Sequence, residues 1–268
     1  MAGITTAVIL ARGLGTRMRA NGGSKLDAAT AAVADTGVKA LIPIGRPFLD
    51  HVLHDLADAG ITQVVLVIGP EHDEVRRYYS SLTLTRLTIT FAIQAKPRGT
   101  ADAVAAAQSA VGSAPFLVLN SDNLYPSSAL RPLAAIATPG LVGFHRSGLL
   151  KGNIAADRVA KFAVIAANKH GDLERIIEKP SHEQIAALGD DPLLSMNCWA
   201  FDQSIFKACA NISPSSRGEL ELPDAVLESM RNGTRYRIVE RADAVLDLSS
   251  RDDVAAVRNA LVEHVVAL

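Results

Sequence analysis

The chain has 268 residues, of which 49% are hydrophobic and 21% charged, a composition that folds around a core rather than staying disordered. Its 27 Lys and Arg nearly balance 28 Asp and Glu; a net charge of −1 argues against a nucleic-acid or anionic-membrane partner and leaves room only for a local basic pocket. Two cysteines, Cys198 and Cys209, cannot build a disulfide framework, and no apolar run approaches the roughly 18 residues of a membrane span, so a cytoplasmic location is expected.

Residues 6–11 read as a buried strand, followed at once by a glycine-rich turn. Residues 19–38 are polar and alanine-rich, with Gly22-Gly23-Ser24, and fit either a mobile loop or a short helix over the site. Apolar residues at helical spacing predict a helix over 47–59, ended by Gly60, and strand 63–68 stops at Gly69-Pro70. A helix over 71–80, a strand over 87–93, an alanine-rich helix over 100–111 and a fully apolar strand over 116–119 follow. A helix over 127–136 and a strand over 141–144 complete the regular part. Strands alternating with helices through short connections predict parallel βαβ units, and the continuous apolar character of the strands fits a sheet covered on both faces. Beyond about residue 145 the pattern becomes mixed, with strands at 162–166, 173–177 and 198–201 and helices at 222–232 and 251–266. With no internal repeat and no low-complexity linker, residues 1–268 read as one α/β domain, Rossmann-like, with a mostly parallel central sheet, helices on both faces and a mixed C-terminal half.

The chemistry-bearing residues gather at strand ends, where α/β sheets hold ligands. Leu10-Ala11-Arg12-Gly13-Leu14-Gly15-Thr16-Arg17 leaves the first strand directly. Its glycines let backbone amides approach phosphate oxygens, Thr16 adds a hydroxyl and Arg17 a planar cation. The dinucleotide fingerprint fails because Met18 holds the place of its third glycine, and no Walker A loop is present. Lys39 leads into an apolar patch, and Gln94 through Gly99-Thr100 joins a strand to a helix that Thr100 would cap. Asp122, within Asn120-Ser121-Asp122-Asn123, closes the strand at 116–119, and Asp247 stands at the end of a shorter one. Carboxylates so placed suit Mg²⁺, which takes few protein oxygens and fills its shell with phosphates and waters; a plain Asp-Asn turn is the competing reading. Glu178-Lys179-Pro180 follows the strand at 173–177, and Asn197 precedes Cys198-Trp199-Ala200-Phe201. The seven histidines show no zinc spacing, and no GxSxG elbow occurs.

The order of these segments resembles that of the sugar-phosphate nucleotidyltransferases, the NDP-sugar pyrophosphorylases, in the branch holding the glucose-1-phosphate thymidylyl- and uridylyltransferases. The match runs from about Ile4 to Val257. The resemblance implies the nucleotide-diphospho-sugar transferase fold and, with Mg²⁺, the reaction of an NTP with a sugar-1-phosphate to give an NDP-sugar and pyrophosphate. It further implies a nucleotide-binding half over 1–145 and a sugar-phosphate-binding half over 146–268. By the same carry-over, Leu10, Gly13, Gly15 and Thr16 bind nucleotide, Gln94, Gly99 and Thr100 belong to the base side, and Arg17, Lys39 and Lys179 act on the phosphates. Asp122 and Asp247 take the metal, and Asn123, Ala163, Glu178, Lys179 and Asn197 bind the sugar phosphate. No nucleic acid or membrane partner is expected, and relatives suggest a homo-oligomer by analogy.

Four positions depart from the family pattern. Arg12 stands in place of a glycine and either stiffens the turn or adds a phosphate ligand. Residues 18–38 form a longer link than usual. Ser121 and Ala163 also replace glycines, so an unusual sugar phosphate, or weak activity on glucose-1-phosphate, is expected. A non-catalytic nucleotide- or sugar-nucleotide-binding protein on the same scaffold is the alternative. A glycosyltransferase is disfavoured by the lack of an Asp-x-Asp pair at the middle strand.

Overall fold

Apolar runs in the first half of the chain become parallel strands, as their covered-on-both-faces pattern predicts. The computed structural model describes residues 3–20, 24–136, 138–178 and 180–268. Two features singled out above, the Gly22-Gly23 pair and Lys179, lie outside the described residues. In chain order the strands of the nine-stranded sheet are β1 (Thr6–Leu10), β2 (Gln63–Ile68), β3 (Thr88–Ile93), β4 (Phe116–Asn120) and β5 (Gly140–His145). The rest are β6 (Val164–Ala167), β7 (Leu173–Ile177), β8 (Leu193–Phe201) and β9 (Arg237–Arg241). The longer helices are α1 (Ala28–Thr36), α2 (Phe48–Asp58), α3 (Asp73–Ser81), α4 (Thr100–Ala106), α5 (Ser127–Ala135), α6 (Ser204–Asn211), α7 (Leu222–Arg231) and α8 (Asp253–Ala260).

Four strands lie side by side in the order β3-β2-β1-β4, all parallel, with Leu10 of β1 paired to Val67 on one side and Asn120 on the other. Because β2 and β4 flank β1, the chain leaves that centre in opposite directions, and a crevice opens at the carboxyl ends of β1 and β4. Beyond β4 the sheet turns mixed: β8 is antiparallel to β4, β5 and β6, whereas β9 is parallel to β5. Alternate residues feed two cores: Ala7, Ile9, Leu117 and Leu119 pack on the face carrying α2 and α5, while Val8, Phe116 and Val118 pack on the face carrying α4, α6 and α7. This alternation is the two-residue period of a strand buried on both sides.

Several expectations are corrected in detail. The helix predicted over 100–111 is two pieces, broken at Ala107, with a short second turn at Gln108–Val111. The helix predicted over 251–266 ends at Ala260, because the apolar stripe stops: Val262 and Val265 are each 82% exposed. Within 19–38 the short-helix reading holds for α1, capped by Asp27 accepting from the Thr30 amide at 2.9 Å and closed by Gly37 at φ +77°. Helix α6 and strand β9 carry no prediction above. Among the described residues no helix is long and apolar enough to cross a membrane.

Candidate active site

The first of two adjoining cavities, of about 310 Å³, opens at the carboxyl ends of β1 and β4 and is lined by the turn from Leu10 to Leu14, Lys39, Gln94, Gly99, Thr100 and Asp122. The turn hugs the strand ends: the Ala11 amide donates to the Val67 carbonyl at 2.9 Å and the Ser121 amide to the Leu10 carbonyl at 3.2 Å. Gly15 sits in the left-handed region at φ +59°, and a Cβ there would overlap the Gly37 carbonyl oxygen and stand 2.6 Å from the Gly37 Cα. That contact ties the turn to the segment carrying Lys39. A Cβ on Gly13, by contrast, would meet nothing within 4 Å.

Arg12 is buried, only 9% exposed, although it carries a charge. Its Nη2 pairs with Glu71 Oε1 at 3.0 Å, while Nε and Nη1 are buried with no hydrogen-bond partner among the described residues. Arg12 also lines the first cavity, so its guanidinium places a positive charge beside a space suited to an anion. Burial works to raise the Glu71 carboxyl, but its own backbone hydrogen bond and the Arg12 guanidinium outweigh it and hold the group below the usual carboxylate range.

On the other wall Gln94 is buried, and its amide donates to the Gly99 carbonyl at 3.0 Å and to Asp102 Oδ2 at 2.8 Å. Both partners only accept, so the NH₂ group must face them and the side-chain carbonyl is left as an acceptor. Gly99 adopts φ +115°, and a Cβ there would stand 2.7 Å from the Leu220 amide nitrogen. Thr100 does not cap its own helix. Its hydroxyl accepts from the Leu222 amide at 2.8 Å and so serves the start of α7.

A second cavity, of about 590 Å³, adjoins the first and shares Asn120, Asp122 and Asn197 with it. Arg17, Arg158, Lys161 and Phe162 line it together with Asn123 and Asp247. Asp122 Oδ2 accepts from Lys39 Nζ at 2.8 Å. Asp247 is buried and receives Asn123 Nδ2 at 2.9 Å, Ser249 Oγ at 3.0 Å and the Arg158 guanidinium, which also holds Asp253 at 2.7 Å. The backbones at Asp122 and Asp247 run side by side, since Asp247 pairs with Asn123 across a two-stranded ribbon and the Leu248 amide donates to the Asp122 carbonyl. Two hard-oxygen side chains lining one cavity fit Mg²⁺, each now neutralised by a basic side chain that the ion would exchange with.

Asn197 forms the partition between the cavities. It lies where the register of β8 shifts between Ser195 and Trp199, and it alone among the described non-glycine residues has a positive φ, +56°. Asparagine tolerates that conformation better than most residues, and such positions collect at functional sites.

Of the residues named from sequence, Leu10, Gly13, Arg17, Lys39, Gln94, Gly99, Thr100, Asp122, Asn123, Asn197 and Asp247 line the paired cavities. Gly15, Thr16, Ala163 and Glu178 are not among the lining residues; Gly15 acts by packing, Ala163 is buried beside the lining Phe162, and Glu178 is exposed at the end of β7. Arg158, Asn120 and Ser249 were missed. Arg158 sits in a four-residue helix, Ala156–Val159, which has no periodicity to betray it. Neither cavity is lined by His or Cys among the described residues, and burial pushes the Cys209 thiol up to about 12. The described lining residues therefore offer no imidazole or thiolate nucleophile, whereas cations for binding phosphates are abundant.

A parallel core with a crevice at its switch point, walled by a glycine turn and basic side chains, defines an α/β protein suited to an anionic ligand. The sequence matches the nucleotidyl transferase family over residues 6–262, and the chain belongs to that family. It is 27% identical over 234 residues to the low-salt glycan biosynthesis nucleotidyltransferase Agl11 of Haloferax volcanii, covering 84% of this chain and 57% of that protein, so it spans little more than half of Agl11. To the UTP–glucose-1-phosphate uridylyltransferase AglF of the same organism it is 24% identical over 248 residues, 92% of each chain. The crystal structure of a UDP-glucose pyrophosphorylase complexed with UDP-glucose shares the fold, with a TM-score of 0.73 over 97% of this chain and 99% of that one at 18% identity.

Proposed function

We propose that the chain is a sugar-1-phosphate nucleotidyltransferase of the cytoplasm: it transfers a nucleotidyl group from an NTP to a sugar-1-phosphate and releases pyrophosphate. The observation that carries this reading is the pair of cavities meeting at Asn120, Asp122 and Asn197. Two substrates that react through one phosphorus atom need adjoining spaces that meet where the attacking oxygen and the phosphorus come together.

The first cavity takes the NTP. Leu10, Gly13, Gly15 and Thr16 shape the phosphate turn, Arg12 adds a positive charge to the wall, and Gln94, Gly99 and Thr100 hold the base. The second cavity takes the sugar phosphate with Asn123, Asn197 and Arg17, with Ala163 set behind Phe162, and the family resemblance alone assigns Glu178 and Lys179 to the same substrate. Both halves of the chain wall each cavity: the first draws Asn197 and Glu219 from beyond residue 145, and the second draws Arg17, Asn120, Asp122 and Asn123 from before it.

The attacking phosphate oxygen is already an anion, so the reaction needs no strong general base. What opposes it is repulsion between two polyanions and the entropy of aligning them, and positioning can remove roughly 7–11 kcal/mol of barrier. Arg17, Lys39 and Lys179 offset the repulsion by fixing the phosphates in a site with few competing waters. Asp122 and Asp247 would hold Mg²⁺, which supplies charge neutralisation at the phosphates.

Gln94 points to the base. Its remaining carbonyl acceptor matches the N3–H of uracil or thymine and opposes the lone pair of cytosine N3 or adenine N1. UTP and dTTP should therefore outpace CTP and ATP, and Gln94→Met should lower kcat/KM for the preferred NTP by about 10- to 100-fold, the worth of one buried hydrogen bond. An unchanged ranking of the four nucleotides in the variant would remove Gln94 from base selection. Arg12→Ala should raise KM for the NTP about 10- to 100-fold through loss of charged hydrogen bonds of about 1.5–3 kcal/mol, with kcat changed less. Equal KM in the two proteins would mean that its guanidinium does not meet the phosphates.

The direct experiment mixes each NTP with a panel of sugar-1-phosphates and Mg²⁺ and measures pyrophosphate release. Release from at least one pair supports the proposal. No release above blank from any pair, with calorimetric nucleotide binding intact, would replace it with a binding protein on the same scaffold.

A further inference from the structure

Strand β8 breaks its ladder at the boundary of the two cavities, and the backbone groups it releases there need partners from elsewhere. Its register on β5 shifts between Ser195 and Trp199, so Met196, Asn197 and Cys198 stand outside the regular pairing. The Met196 carbonyl is met by Tyr125, whose hydroxyl donates to it at 2.5 Å. Tyr125 is 1% exposed, and burial pushes its hydroxyl well above the usual tyrosine range, so the group stays a neutral donor. A phenol carries one proton, and this one is committed to Met196. Asn123 Oδ1, 3.4 Å from the same phenol oxygen, takes its hydrogen bond from Asn120 Nδ2 at 3.2 Å instead, and Asn123 Nδ2 serves Asp247 at 2.9 Å.

The Met196 carbonyl belongs to the planar peptide unit that precedes Asn197, so swinging it changes the φ of Asn197 directly. Asn197 holds φ +56°, and its own amide reaches only Ser195 Oγ at 3.5 Å. Trp199 orients its side chain: an indole nitrogen can only donate, and it lies 3.4 Å from Asn197 Oδ1. The NH₂ group is therefore the part left for the cavities, both of which Asn197 lines. We propose that Tyr125 is a positioning residue for the transfer reaction. By pinning the Met196 carbonyl it keeps Asn197 in the left-handed conformation and its amide donor at the boundary where the sugar phosphate meets the nucleotide. The inference rests on the transferase reading above and adds to it a residue that lines neither cavity. Without the hydroxyl, a carbonyl on a residue only 4% exposed would lose its partner, and turning the peptide toward another donor would carry Asn197 with it.

The test is Tyr125→Phe, which removes one oxygen and keeps the ring. With an NTP and sugar-1-phosphate pair that the parent turns over, KM for the sugar-1-phosphate should rise about 10-fold, the worth of one well-placed hydrogen bond. KM for the NTP, which has the whole turn after β1 to hold it, should stay within about threefold. A merely structural role would reduce the amount of folded enzyme, lowering apparent kcat and leaving both KM values unchanged. Asn197→Ala should reproduce the KM effect, and adding Tyr125→Phe to it should cost less than about threefold more, because the two act through one group. In crystals of Tyr125→Phe, Asn197 should leave the left-handed region. Should the variant misfold, crystals of the unaltered protein soaked in the sugar-1-phosphate decide the matter. There the Tyr125 hydroxyl should remain on the Met196 carbonyl with the Asn197 amide within hydrogen-bond distance of the ligand, and an amide turned away would overturn the proposal. Turnover in the parent with unchanged KM values in the variant, full additivity with Asn197→Ala, or a retained positive φ at Asn197 in the variant would overturn this inference alone. A parent that turns over no pair would overturn the transferase reading and this inference with it.

Discussion

Asp122→Asn is expected to lose about 10²- to 10³-fold in kcat for pyrophosphate release, the range for removing one preorganised charge contact, while its melting curve stays near that of the parent. The fold should survive because the substitution is isosteric and the side chain is a quarter exposed. The reaction should suffer for two reasons. Asp122 holds Lys39 at 2.8 Å across the boundary of both cavities, and it is one of two carboxylates proposed for Mg²⁺. Since Lys39 and Asp122 act as a pair, Lys39→Met should cost less in the Asp122→Asn background than in the parent, a non-additivity that kinetics on the four proteins would measure. Turnover retained with a normal melting curve would take Asp122 out of the mechanism.

Gly15→Ala should cost both stability and turnover, although the change adds a single methyl group. The residue would keep a left-handed conformation, and its Cβ would press on the Gly37 backbone, so strain and overpacking together amount to about 2–4 kcal/mol. In a chain of this size that lowers the melting temperature by on the order of 10 °C. Because Gly37 leads into Lys39, relief of the clash should move the lysine away from Asp122, and a displacement near 1 Å can cost about 10²-fold in rate. Gly13→Ala is the control: with open space at its Cβ it should change stability by less than about 0.5 kcal/mol. Equal melting temperatures for the two variants would refute the packing role of Gly15.

These two glycines show what a sequence reveals and what it hides. The turn after β1 is legible because Gly-x-Gly-Thr-Arg directly after a buried strand marks either a strand-to-helix turn or an anion loop, at the strand end where α/β sheets hold ligands. Asp122 and Gln94 are legible for a similar reason, as polar residues that interrupt apolar strands at their carboxyl ends. The different duties of Gly13 and Gly15 are not legible, since the partner of Gly15 is another backbone brought in by the fold. Arg158 is hidden likewise: its significance lies in reaching Asp247 and Asp253, and nothing in its own short helix announces that. Helix α1 was legible only as one of two options, because its alanine-rich face buries little. The extent of α8 was misjudged because Val262 and Val265 imitate a helical stripe that nothing covers.

The bend in β8 has an evolutionary corollary. On one side of β8 Trp199 to Phe201 pair with β4 and Leu193 and Leu194 with β6, on the other Leu193 to Ser195 and then Trp199 and Ala200 pair with β5, and Asn197 stands at the joint. Gaining or losing one residue on either side would rotate that arm by half a period, sending core side chains to the opposite face. Sequence drift along this strand is thus free to alter letters but not their number, and descendants with altered ligand preferences should retain its length.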